Sequence, residues 1–456
     1  MTNIGKTLLL GGAILSVALI AFRNMGWLPL QTGDFAFFSV LGILAAAYRP
    51  GWVFLLLVMS LPLETVDLAP AVLGIELRPY QFLEVVLALG LLVRLAAGRV
   101  LPEIPKPILP DALLSLVPIG SLLALVNAPS PALSFKLSLV LFSLYGLYLL
   151  GRIYLRSLDD VRKVLPFALV SGAIVLCYAI FQNVRFLSDF EPFQVMPGRP
   201  DGMFPEPDWL GMYLVFSGTA LLSIFSGMFR GRVPGNLKDR PRVPLLMLVP
   251  LASIFVVLLM TVARSAWIGM FVACAVVVGL FAYARRDARA VGMFAGGLSA
   301  AFLWAFSLVS LIPLTDFDLL GRAGSITSGE QSITVSCAAG SMRAPGLPER
   351  IGDVTELAAF DCRHIDLAEV DEEESIGNLV TTVFRPDPSI GIRQDIYGVS
   401  LGEIGKHPVL GIGWGSISSV LGTDERGAGL NASNVFLEIW LGSGLLGLIG
   451  FLGFLL

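Results

Sequence analysis

Apolar stretches approaching 20 residues recur along most of this 456-residue chain, and one long polar segment, residues 314–432, interrupts the series. A helix needs about 20 apolar residues to cross the hydrocarbon of a bilayer. Lipid tolerates only backbone that satisfies its own hydrogen bonds. The composition agrees, with 14% charged residues and a mean hydropathy of +0.79, where a soluble domain carries about 25% charge. The expected fold class is therefore an all-α polytopic integral membrane protein with about 12 transmembrane helices.

The runs lie at 7–22, 35–48, 51–66, 80–97, 109–128, 133–151, 165–182, 210–229, 243–262, 265–284, 291–313 and 433–456. Thr7–Phe22 follows Lys6 and precedes Phe22-Arg23-Asn24, which is no small-x-small cleavage pattern, so it reads as a retained helix. The second and third runs are short and hinge at Arg49-Pro50-Gly51. The last ends at Leu456 without the basic residue expected at an inner helix end, so the chain is expected to continue beyond it. No internal repeat is evident, which counts against carriers built from two related halves.

Basic residues set the orientation. With the N-terminus inside and spans alternating, the inner segments hold 17 of the 31 Lys and Arg residues and the short outer segments hold 6. Residues 314–432 then face outward, and they contain 18 of the 35 acids against 8 bases. The expected organisation is helices 1–11 over residues 1–313, a large extracytoplasmic loop over 314–432, and a twelfth helix over 433–456. Cys337 and Cys362 fall in that loop and Cys177 and Cys274 in spans. In an oxidising compartment the loop pair forms a disulfide most simply, with two free thiols as the alternative.

Candidate chemistry gathers at the outer edge. Arg199 lies in GRPDGMFPEPDWLGMYL, Arg264 in the tight turn TVARSAWIG, and Arg393 opens IRQDIYGVSLGEIGKHPVLGIGWG. Three guanidinium groups near one plane suit a diphosphate, whose oxygens they bind in bidentate fashion; lipid headgroups and neighbouring acids are the alternative partners. Arg393–Lys406 reads as an amphipathic helix on the outer face. His407, one of two histidines, follows it before Pro408, and on an ideal helix would stand about 21 Å from Arg393. Gly411-Ile412-Gly413-Trp414-Gly415 reads as a turn open to close approach by a ligand. Glu206 and Asp208 share the outer loop of Arg199 and, with His407, are candidate bases. Asp316-Phe317-Asp318 resembles a metal-binding Asp-x-Asp, a pattern short enough to arise by chance. Asp371-Glu372-Glu373-Glu374 reads as a solvated acidic run. Glu84 and Glu438 lie near outer span ends, where function and snorkelling are equal readings.

In this order, Arg199 with FPEPDWLGMYL, Arg264 in ARSAW, Arg393, HPVLGIGWG and NVFLEIWLGSGLLG resemble the O-antigen ligase and polymerase family of bacterial envelope proteins, over roughly residues 195–456. The resemblance implies a GT-C-like membrane glycosyltransferase of the inner membrane with its large loop in the periplasm. It would transfer glycan from undecaprenyl diphosphate to an acceptor hydroxyl, with inversion and without a metal or other cofactor. The implied partners are that lipid-linked glycan, a polysaccharide or lipid-linked acceptor, membrane lipid, and chain-length regulators or export proteins; nucleic acid is not among them. Family members that ligate O-antigen to lipid A core carry a histidine beside an asparagine before the last span. Here Ser433 precedes Asn434, which tilts the expectation toward a polymerase of O-antigen, capsule or exopolysaccharide. The rival readings are a transporter or lipid-glycan flippase, with charges lining a path through the membrane, and a non-catalytic assembly scaffold.

Overall fold

The computed structural model describes residues 3–456, except 101, 189, 197, 230–242, 313, 316, 318, 342, 366–368 and 424–428. Sixteen α-helices and three strands are named here in chain order: α1 Asn3–Asn24, α2 Thr32–Tyr48, α3 Pro50–Ser60, α4 Pro79–Ala96, α5 Leu109–Leu123, α6 Pro131–Tyr154, α7 Leu158–Leu187, α8 Pro207–Phe229, α9 Val243–Met260, α10 Arg264–Arg285, α11 Ala288–Leu311, α12 Leu319–Ser328, β1 Glu330–Cys337, β2 Cys362–His364, α13 Val370–Ser375, β3 Leu379–Pro386, α14 Pro388–Lys406, α15 Ile417–Leu421 and α16 Val435–Leu455.

Among the described residues, nine helices are long and apolar enough to cross a membrane, and three shorter apolar helices accompany them at Thr32–Tyr48, Pro50–Ser60 and Leu248–Met260. The chain is a polytopic, mostly helical membrane protein. The shorter three coincide with the expected runs at 35–48, 51–66 and 243–262. The third run stops early because Leu61 precedes Pro62, and a residue before proline disfavours helical backbone.

Contacts divide the chain into two units. The first comprises Met1–Phe38, Leu55–Phe82 and Val164–Pro386. Its membrane core is built by α7–α11 around Phe225, Phe281 and Phe294, whose rings lie 4.9–5.3 Å apart at centroid. Gly211 on α8 sits against Ala263 and Ala266, at the start of α10, where a methyl group would collide. Small residues allow such close approach where no hydrophobic force pulls helices together in lipid.

The expectation of an all-helical chain left out a small antiparallel sheet in this unit, ordered β2-β1-β3. The sequence explains it: Ile333, Val335 and Cys337 alternate inward along β1 and join Val383, Ile351 and Leu357 in a compact core. Cys337 pairs in register with Cys362, and the two are disulfide-bonded. Glu373 is not a solvated member of an acidic run. It is 6% exposed and accepts from Ser336 Oγ (2.5 Å), Asn378 Nδ2 (2.7 Å) and Arg363 Nη2 (2.6 Å), tying α13 to the sheet.

The second unit comprises Ser39–Phe54, Leu83–Lys163 and Asp387–Leu456. Here α5 and α16 meet through Gly120, Gly447 and Gly450, with no room for a Cβ at Gly120 against the Ser443 carbonyl. Asp111 of α5 accepts from Tyr148 Oη (2.8 Å) and pairs with Arg152, both on α6. A buried carboxylate needs such partners, since an unpaired charge at membrane depth is costly. Glu84 of α4 likewise accepts from Ser143 of α6 at 2.5 Å, and Glu438 accepts from the Ala432 amide at 3.1 Å.

Candidate functional site

In the first unit the loop between α7 and α8 carries Arg199, and the last turns of α7 hold that loop in shape. Asn183 Nδ2 donates to the Leu314 carbonyl, and Gln194 Nε2 donates to Asn183 Oδ1 at 3.2 Å. Gln182 Nε2 donates to the Phe193 carbonyl at 2.8 Å, while its Oε1 accepts from the Gly202 amide at 2.8 Å. Arg185 lies among the rings of Phe181, Phe190 and Phe193, 4.9–5.6 Å from their centroids. These cation–π contacts anchor the start of the loop.

The loop delivers Arg199 between two helix starts. Its Nε donates to the Thr261 carbonyl at 2.8 Å and its Nη2 meets Asp208 Oδ1 at 2.9 Å. Asp208 is in the first turn of α8, and Thr261 opens the turn that leads into Arg264, the first residue of α10. The main chain of that turn is left-handed at Val262, with φ 54°. Arg199 and Arg264 therefore stand at adjoining helix N-termini, each with amide groups and the positive end of a helix dipole directed outward from the helix. Glu206 caps the same end of α8, its carbonyl accepting from Trp209 (3.1 Å) and Leu210 (3.3 Å). The arrangement can hold an anion bearing several oxygens. Asp208 is 58% exposed and Arg199 21% exposed at the side chain, so their pair contributes little to stability and chiefly fixes the guanidinium plane.

In the second unit α14 carries Arg393, which is exposed, and ends at Lys406 just before His407. The helix is continuous between them, so one phosphate cannot be gripped by both. His407 Nε2 lies 3.8 Å from Glu403 Oε1, one helical turn back, and Lys406 Nζ holds the other oxygen of Glu403 at 2.8 Å. Sequence reasoning overlooked Glu403, although its i,i+4 spacing from His407 was the available signal.

The glycines after His407 do not leave space for a ligand, contrary to the expectation. Gly411 lies against the Leu441 and Trp440 carbonyls, Gly413 against Ser134, and Gly415 against the Leu133–Ser134 backbone. Ser416 Oγ meets Ser134 Oγ at 3.1 Å, and Trp414 Nε1 donates to Ser443 Oγ at 2.8 Å. The motif is a packing joint with α6 and α16. At the position where Ser433 stands, φ is 50°, and Asn434 caps α16 by accepting from Phe436 (2.9 Å) and Leu437 (3.4 Å). Asp316 and Asp318 lie outside the described residues. Among the described residues no three His, Cys, Asp or Glu side chains group as metal ligands.

Compared with known proteins, residues 249–452 match the family model described as O-Antigen ligase. No curated protein and no solved structure matches the chain. The matched region starts in α9, takes in Arg264, the sheet, α14 and His407, and ends in α16. Over residues 249–452 the chain is therefore similar to the O-antigen ligase family, which supports the resemblance read from its motifs.

Proposed function

We propose that the protein is an inverting, metal-independent glycosyltransferase of the bacterial inner membrane that polymerises or transfers undecaprenyl-diphosphate-linked glycan repeat units at the periplasmic face. Residues 314–432 form its periplasmic segment. The observation that carries this reading is the bracing of Arg199 between Asp208 and the Thr261 carbonyl, beside Arg264. The leaving group is a diphosphate. As the glycosyl C–O bond breaks, its electron pair passes to the diphosphate oxygen, and fixed guanidinium charge there stabilises the developing anion. That charge does the work that a metal ion would otherwise do.

Arg199 and Arg264 bind the diphosphate; Arg393, the third cationic candidate, lies on α14 in the other unit. The acceptor hydroxyl attacks the anomeric carbon from the opposite face and gives its proton to a general base, for which His407, 3.8 Å from Glu403, is the first candidate. Glu206 is a second candidate base. Asp208 holds Arg199, which suits it to positioning rather than proton transfer. Ser433, in place of a histidine, favours a polymerase of O-antigen, capsule or exopolysaccharide over a lipid A–core ligase. Chain-length regulators and export proteins are the partners such a polymerase would meet.

The test is polysaccharide chain length on gels from cells carrying Arg199→Ala, Arg264→Ala or Arg393→Ala. Loss of long polymer at normal protein level is expected, and unchanged polymer from all three would sink the assignment. The transporter reading instead requires solute flux in vesicles that is lost on changing Glu84 or Glu438.

A further inference from the structure

Two residues beyond Arg199 lies Asp201, whose side chain is entirely buried. Its Oδ1 accepts from Gln182 Nε2 at 3.1 Å and from the Val195 amide at 3.3 Å. Its Oδ2 has no hydrogen-bond partner. Leaving such an acceptor unsatisfied costs roughly 1–3 kcal/mol, so a carboxylate is an expensive way to pin a loop that an amide could pin as well. Arg23 of α1 and Tyr178 of α7 are the charged and titratable groups whose fields reach it, and Tyr178 donates to Asn24 Oδ1 at 3.0 Å.

We infer that Asp201, together with Gln182, is the positioning device of the Arg199 anion site, and that its ionisation tunes how strongly that site holds a diphosphate. The geometry supports the first half. Gln182 and Asp201 between them bind Phe193, Val195 and Gly202, on both sides of Arg199 in the same loop. The second half follows from electrostatics. Positions 199 and 201 are at most about 7 Å apart along the chain. A unit charge roughly 10 Å from a bound anion, at an effective dielectric of about 20, changes affinity by about an order of magnitude. Burial pushes the Asp201 carboxyl up to about 6, against the opposing pull of the Val195 amide and Arg23. The charge therefore switches in the range where the periplasm can vary.

This inference rests on the reading of Arg199 as a diphosphate ligand. The experiment uses the full chain purified in detergent, with geranylgeranyl diphosphate as the probe and its affinity measured from pH 5 to pH 8. The wild type should lose roughly three- to tenfold more affinity across that range than Asp201→Asn, which cannot ionise. Arg23→Gln should move the midpoint of that extra loss upward, because the nearby positive charge is removed. Identical pH profiles for wild type and Asp201→Asn overturn the inference, as does an unmoved midpoint in Arg23→Gln. Arg199→Ala separates the two ideas. Probe binding that survives Arg199→Ala overturns the diphosphate reading, whereas binding lost in Arg199→Ala with matched Asp201 profiles overturns only the role of Asp201.

Discussion

Breaking the Cys337–Cys362 bond should open the sheet while leaving the membrane helices folded. The bond joins residues 25 apart. In the chain-entropy account, closing a loop of that length removes about 3.5 kcal/mol of freedom from the unfolded segment. Apart from the two cysteines, the fully buried core here is Ile333, Val335, Ile351, Leu357 and Val383. So small a core cannot absorb that loss. A change of about 3 kcal/mol raises the open population roughly a hundredfold. Cleavage follows that population when opening is fast relative to proteolysis. The perturbation is Cys337→Ala with Cys362→Ala, and the assay is the rate of tryptic cleavage after Arg363, which lies within β2. The double variant should be cut at least tens of times faster there, and wild-type protein in reductant should approach the same rate. Equal rates for the double variant and the oxidised wild type would refute the reasoning.

Arg199→Lys should fail to restore polymer, because an ammonium cannot reach the Thr261 carbonyl and Asp208 together in the planar geometry of a guanidinium; chain length on gels reads this. Gly415→Ala should lower thermal stability in detergent by several kcal/mol, since its Cβ would strike the Leu133–Ser134 backbone, which cannot yield as a side chain could. The Glu373 carboxyl is held below its usual range, first by the Ser336 hydroxyl, then by Asn378 and Arg363. Its folded value is depressed, so its contribution is present above about pH 4.5 and is lost as pH falls through the folded value. Pepsin cleavage of the 330–386 segment should therefore rise steeply as pH falls below about 4 in wild type. In Glu373→Gln it should be high throughout.

The spans were legible because lipid imposes one length and one polarity on every crossing, and the hinge at Arg49-Pro50 followed from proline. The sheet was less legible, although EQSITVSC and LVTTVFRP carry the alternation of β-branched residues. A polar loop between membrane spans draws attention to its charges and away from its period of two. The acidic run misled for a related reason. Asp371–Glu374 looks uniform in sequence, and only the pairing of α13 with the sheet singles out Glu373. Arg199 and Asp208 were legible as sharing one outer loop, and Arg264 as a residue of a separate tight turn. The bond from Arg199 to the Thr261 carbonyl depended on the turn at Thr261–Ala263, and no spacing between positions 199 and 261 could have revealed it. Asp201 sits in GRPDG, which reads as an exposed turn, and burial is a property of the surroundings rather than of the residue.

The helix α16 is interrupted at Gly444, whose φ of 65° and ψ of −170° only glycine adopts readily. Into that interruption the chain after His407 is bound. Trp440 Nε1 holds the Pro408 carbonyl at 2.8 Å, the Leu445 amide holds that of Val409 at 2.9 Å, and the Ile412 amide donates to Leu441 at 2.7 Å. Mechanically, α14 is then clamped at its His407 end and seated farther back as well, with Ile396 and Ser400 buried and Tyr397 Oη donating to the Ser433 carbonyl at 3.5 Å. Displacing His407 therefore requires moving α16 with it, since the bonds to Trp440, Leu441 and Leu445 all end on that helix.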